Sequence, residues 1–159
     1  MSNSVPSYSA EVAQPFRDEL TAVNFKELRT PAEVDAALNR QDDKIVLVVL
    51  NSVCGCAARS ARPGTILSML NNVSPDEYAT VFAGMEKDAV AHFRQKYLPG
   101  LTPSSPNIAL FKNGELLHIL QRYQVRFDPC HNDTIASLAG QPHRFGKAVT
   151  RLIWLLHRF

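Results

Sequence analysis

Cys54, Gly55 and Cys56 are the residues of this chain best suited to covalent chemistry. Two thiols one residue apart can exchange a disulfide or hold a soft metal ion. They follow the run Ile45–Leu50, which contains only Ile, Val and Leu, and the turn-forming pair Asn51–Ser52. After them, residues 57–70 favour helix. The pattern predicts a strand buried on both faces, ending in a thiol pair at the start of a helix.

That placement has a chemical consequence. A helix start exposes unpaired N–H groups and the positive end of the macrodipole, so a sulfur there is favoured as the reactive thiolate. Cys54, at the expected cap, gains most. Residues two apart on a regular helix diverge, because each step turns about 100°. A Cys54–Cys56 bridge therefore needs a distorted backbone, which Gly55 would allow. Strained bridges are labile and suit transient exchange better than a structural role. Three other readings use the same residues. The cysteines could be incidental buried thiols. They could carry Cu(I) or Zn, with Cys130 and His131 as further ligands, although no second close Cys or His pair appears and structural zinc usually takes four ligands. They could also form a redox sensor whose oxidation alters a partner contact.

The elements that must position the thiols are legible on either side. Residues 1–14 carry Ser, Pro and Asn with little apolar periodicity and read as an arm. The domain is expected to run from 16 to 159, after an arm of residues 1–15, with Leu20, Val23 and Phe25 as first anchors. Thr30–Pro31–Ala32–Glu33 is a helix start with a capping box, and Val34, Ala37 and Leu38 form its buried stripe. Pro63 and Gly64 should kink the helix after the thiols, whose core candidates are Ile66, Leu67, Met69 and Leu70. A strand is expected over 78–83 and an amphipathic helix over 86–98, with Arg94 and Lys96 late, as the dipole prefers. A proline-dense stretch ends at Ser104–Ser105–Pro106. Asn113–Gly114 then joins two apolar runs, the strongest short-range hairpin signal. The earlier strands alternate with helices, which implies parallel crossovers. Asp133 could cap a short helix, and a final helix is expected over 144–159.

With 159 residues, 45% of them hydrophobic, the chain can bury a core without staples. A formal net charge of +2, with the basic residues scattered along the sequence, is too small to argue for nucleic acid or an anionic membrane, and neither is expected as a partner. No charged-then-apolar leader and no run of about 18 apolar residues is visible, so the expected compartment is the cytosol. Paired cysteines there are more often catalytic, sensing or metal-binding than structural. Cys130 reads as a passive loop thiol, Arg59 and Arg62 as solvated helix charges, and none of the five histidines as a general base.

The order of elements and the segment Ser105–Pro106–Asn107 to Glu115 resemble the thioredoxin-like superfamily. Its fold is an α/β three-layer sandwich with a central mixed sheet of about four or five strands and helices on both faces. By that resemblance Ser105–Pro106 is a cis peptide facing the thiols. The residues Asn51–Ser52–Val53–Cys54–Gly55–Cys56–Ala57–Ala58 with Ala61–Arg62–Pro63, then Thr80–Val81–Phe82–Ala83–Gly84, narrow the resemblance to the bacilliredoxin family, over about 46–123 and loosely from Thr30. The sequence departs from that family at Arg59 and from Val125 onward. The resemblance implies reduction of mixed disulfides between client-protein cysteines and a low-molecular-weight thiol of the bacillithiol type. Cys54 attacks and Cys56 resolves, and weak isomerase activity is also implied. Gly55, Ser105 and Pro106 are then the candidate substrate-binding residues, with no bound cofactor or metal.

Overall fold

A computed structural model describes residues 5–70 and 74–125. Cys130, His131, the Asp133 cap and the closing helix over 144–159 lie outside the described residues.

The elements run α1 (Ala10–Thr21), β1 (Lys26–Glu27), α2 (Pro31–Leu38), β2 (Ile45–Asn51), a π-helical turn (Ala57–Ala61), α3 (Arg62–Ser68), β3 (Glu77–Phe82), α4 (Lys87–Tyr97), β4 (Asn107–Lys112) and β5 (Glu115–Leu120). The sheet order is β1-β3-β2-β4-β5. β1, β3 and β2 are parallel, while β4 runs antiparallel to β2 and β5 antiparallel to β4. The crossover and the Asn113–Gly114 hairpin expected from the sequence are both present, with Asn113 and Gly114 at positive φ.

β2 is central and covered on both sides, which is why it reads as an unbroken apolar run. Val46, Val48 and Leu50 face one core with Val34 and Leu38 of α2 and Phe93 and Tyr97 of α4. Leu47 and Val49 face a second core with Leu20 of α1, Ala61 of the π-turn, and Phe25. The result is helix, sheet, helix in three layers. Phe93 and Tyr97 meet Phe111 edge-on, with ring centroids 5.8 and 6.0 Å away. Asp35 ties α2 to α4, accepting from Tyr97 and Lys96 and lying 2.7 Å from His92 Nε2. Those contacts, His92 first, hold its carboxyl well below the usual range.

The amino-terminal expectation is corrected. Ser9 caps a helix that starts at Ala10, so residues 10–14 are helical and not part of an arm. Pro15 obscured this in the sequence. Its missing N–H falls where the acceptor would be the Glu11 carbonyl, in the exposed first turn, and the loss there is small. Tertiary contacts do the rest. Leu20 is fully buried, and Arg17 ion-pairs with both Glu27 and Glu86 while lying over the Phe82 ring. The two-residue β1 was also not expected, being too short to show a period.

The capping box at α2 is complete. The Thr30 hydroxyl accepts from the Glu33 N–H, and the Glu33 carboxylate accepts from the Thr30 N–H. Thr30→Ala should lower unfolding free energy by about 1 kcal/mol in urea titration, with an unchanged denaturant slope because the surface exposed on unfolding is the same.

Candidate functional site

The strand polarity gathers three segments at one end of the sheet. β2 and β3 end there together, with Asn51 opposite Phe82, and the Ala83 N–H donates to the Asn51 carbonyl. β4 runs the other way and begins there, Asn107 opposite Leu50. Ser52–Cys56 and Ser105–Pro106 therefore extend from neighbouring strand ends. The Ser105–Pro106 bond is cis, as the resemblance implied. Its loop is held from both sides: Arg94 of α4 donates to the Ser104 carbonyl, and the Ser104 hydroxyl lies 2.9 Å from Asn107 Oδ1.

Cys54 stands at the start of a helix that opens at Gly55, and its carbonyl accepts from the Ala57 and Ala58 N–H groups. Both thiols are free and half-buried. Burial alone would push the Cys54 thiol up. The Ser52 hydroxyl 3.1 Å from the sulfur, the N–H groups of Ala57 and Cys56, and the charge of Arg122 outweigh it, and the net direction is down. Gly55 is exposed, lies outside the positive-φ region, and has open space where a Cβ would stand. The backbone here does not demand glycine, and a Cβ would meet nothing within 4 Å.

Beneath the thiols lies a buried cation. The Arg62 side chain is fully buried. Its Nε and Nη2 grip the two carboxylate oxygens of Glu19 at 2.7 and 3.1 Å. Its Nη1 donates to Asn51 Oδ1 and to the Ser52 carbonyl, both at 3.0 Å. The Phe16 ring covers the guanidinium at 4.9 Å. Asn51 completes the network, its Oδ1 accepting from the Ser52 N–H and its Nδ2 donating to the Phe16 carbonyl. An uninterrupted chain of contacts thus runs from Glu19 through Arg62, Asn51 and Ser52 to the Cys54 sulfur.

The π-turn explains how Arg62 reaches this position. Pro63 has no N–H, and its ring would press on the carbonyl four residues back. The expected kink takes the form of a widened turn just before it, where the Arg62 N–H reaches back to the Ala57 carbonyl. One extra residue rotates every later side chain by about 100°. Arg62, Thr65 and Ser68 become the buried positions, whereas Leu70, expected in the core, is 78% exposed. The Thr65 and Ser68 hydroxyls satisfy themselves on carbonyls of their own helix.

The disulphide isomerase family profile matches residues 8–139. A bacilliredoxin of Halalkalibacterium halodurans is 46% identical over 79% of this chain and 85% of its own length. A bacilliredoxin of Salinibacter ruber is 41% identical over 74% of this chain and 69% of its own. The chain belongs to the bacilliredoxin family. A solved chain described as having a thioredoxin fold superposes with a TM-score of 0.51 at 15% identity, covering 66% of this chain and 88% of that one. The superposition shows a thioredoxin-like fold, and the family match makes the chain a member of a thiol–disulfide oxidoreductase family. The family match extends beyond both limits of the resemblance seen in the sequence, including residues after Val125 expected to depart from it.

Of the residues singled out from the bacilliredoxin pattern, Cys54, Gly55, Cys56, Ser105 and Pro106 all lie at the same end of the sheet. Arg59 is exposed, as a solvated charge should be, but Arg62 is corrected from solvated to buried. Arg122 was not foreseen, and no local pattern marks it. Among the described residues no cluster of three or more His, Cys, Asp or Glu could hold a metal ion, and no helix is long and apolar enough to cross a membrane.

Two outcomes follow from this geometry. Ser52→Ala should slow iodoacetamide alkylation of Cys54 at pH 7 on the order of tenfold, because a hydrogen bond to a charged group is worth about 1.5–3 kcal/mol and one pKa unit about 1.4. The thiolate form is favoured by a lowered pKa, so the pH–rate profile should move to higher pH and the two proteins should converge in strong alkali. Arg62→Ala should destabilise by about 3 kcal/mol in urea titration, since it leaves the Ser52 carbonyl buried without the guanidinium donor and the Glu19 carboxylate without its partner. Arg62→Lys should recover only part of that, because an ammonium cannot grip a carboxylate with a planar fork.

Proposed function

We propose that this chain reduces mixed disulfides formed between client-protein cysteines and a low-molecular-weight thiol of the bacillithiol type. Cys54 is the attacking sulfur and Cys56 the resolving one. The observation that carries the reading is the set of donors converging on a half-exposed Cys54 sulfur: the Ser52 hydroxyl and the Ala57 and Cys56 N–H groups. A sulfur so placed is a thiolate at lower pH than an ordinary thiol and remains open to a disulfide.

The cycle balances without a bound cofactor or metal. The Cys54 thiolate attacks the small-thiol sulfur of the mixed disulfide, forming Cys54–S–S–R and expelling the client cysteine as thiolate. The Cys56 thiol, giving up its proton, then attacks Cys54 sulfur. That forms Cys54–Cys56 and releases the small thiol. An outside reductant returns two electrons and two protons. The N–H groups at the helix start stabilise negative charge on Cys54 both before attack and whenever it is the leaving sulfur. Gly55, with open space above it, and the Ser105–Pro106 corner are the proposed docking edges for the mixed disulfide. The reading carries a cytosolic setting, where thiol pools keep protein cysteines reduced.

Cys54→Ser should abolish reduction of an S-thiolated client, and Cys56→Ser should accumulate a Cys54 adduct whose mass, read by intact-protein mass spectrometry, identifies the small thiol. Full activity of Cys54→Ser would remove Cys54 as the attacking group.

A further inference from the structure

The turn that follows β5 stands at the thiol end of the sheet. β5 ends at Leu120, paired with Ile108 at the start of β4, which in turn pairs with Val49 near the end of β2. Two strand spacings, about 10 Å in all, separate the β5 end from the β2 end, and an arginine side chain spans much of that. The turn is firmly built. The Gln124 N–H donates to the Gln121 carbonyl at 2.7 Å, the Gln124 side chain accepts from the Gln121 N–H at 2.9 Å, and Leu120 and Val125 anchor it in the core at 1% and 3% exposure. Arg122 rises from this fixed base into solvent. Its charge reaches the Cys54 sulfur, and among the described residues it forms no ion pair with a carboxylate.

Resting on the exchange cycle above, we propose that Arg122 selects anionic small disulfides, pairing with a carboxylate on the low-molecular-weight thiol that becomes attached to Cys54. Before attack, the negative charge facing Arg122 is the Cys54 thiolate. Attack turns Cys54–S⁻ and R–S–S–client into Cys54–S–S–R and client–S⁻, so Cys54 becomes neutral. The guanidinium then faces the carrier R, and a carboxylate there replaces the lost charge. An acidic patch on the client is the lesser fit, because the client departs in this step while R stays beside Arg122. The planar, always-charged guanidinium suits a carboxylate.

The test is a set of stopped-flow reactions of the reduced full-length protein with three disulfides at equal concentration: bis-anionic 5,5′-dithiobis(2-nitrobenzoate), neutral 4,4′-dithiodipyridine and cationic cystamine. An exposed ion pair worth 0.2–1 kcal/mol corresponds to a rate ratio of up to about fivefold. Arg122→Gln should lower the anionic-to-cationic rate ratio by about three- to fivefold, and Arg122→Glu by about tenfold or more. Arg122→Lys should hold most of the ratio, and about 0.5 M salt should erase the difference. Lys112→Gln removes the same charge at the opposite end of the sheet, beside Ile45, and should leave the ratio unchanged. A uniform slowing with all three disulfides would show that Arg122 acts only on Cys54 ionisation and would overturn the proposal, as would no change. Unchanged rates in Cys54→Ser, in which Cys56 remains as a thiol, would instead remove Cys54 as the attacking sulfur and with it the underlying exchange reading.

Discussion

A guanidinium with no solvent contact must find every partner inside the protein, and Arg62 finds its partners on two separate stretches of chain. Glu19 and Phe16 belong to α1, Asn51 closes β2, and Ser52 opens the thiol loop. Desolvating such an ion costs several kcal/mol, which only a bidentate carboxylate and well-aimed carbonyls offset. The cation therefore fixes α1 against the strand end and fixes the backbone of Ser52 in one position. Glu19 is itself 41% exposed, so the pair is buried from the arginine's side only. That asymmetry keeps the carboxylate's own desolvation modest.

The chemistry of Cys54 follows from that fixed backbone. A hydroxyl can stabilise a thiolate only if its Cβ is held within reach, and Ser52 is held through both its N–H and its carbonyl. The helix start adds two peptide N–H groups, and burial works against all of them. The donors prevail because the sulfur is only half-buried: enough water remains to spare it the full desolvation cost, while the donors stay close. A sulfur deeper in the core would be an inert thiol, and one farther out would lose its donors.

Sheet polarity decides which groups meet that sulfur. Parallel β2 and β3 bring their carboxyl ends together, and the antiparallel β4 and β5 bring a strand start and a strand end to the same edge. The thiol loop, the Ser105–Pro106 corner and the Arg122 turn are far apart in sequence and adjacent only through hydrogen-bond ladders. α2 and α4 pack on one face and α1 and α3 on the other, leaving this edge to loops. Open α/β sheets commonly bind their ligands at such an edge.

The sequence by itself determined the apolar strand, the capped α2, the hairpin and the thiol pair at a helix start. Each of these rests on neighbours within a few residues: a run, a cap, an Asn-Gly turn, a spacing. It also carried the family resemblance that the comparisons extend. Only the tertiary structure decided α1, because a helix carrying Pro15 in its interior is held by contacts with Glu27, Glu86 and Phe82 rather than by its own propensity. It alone decided that Arg62 is buried while Arg59 is not, since one extra residue in a π-turn resets the helical phase that any periodicity argument assumes. It alone brought the charge of Arg122 within electrostatic reach of Cys54, because strand register sets residues 68 positions apart in the chain at the same end of the sheet, which no local pattern encodes.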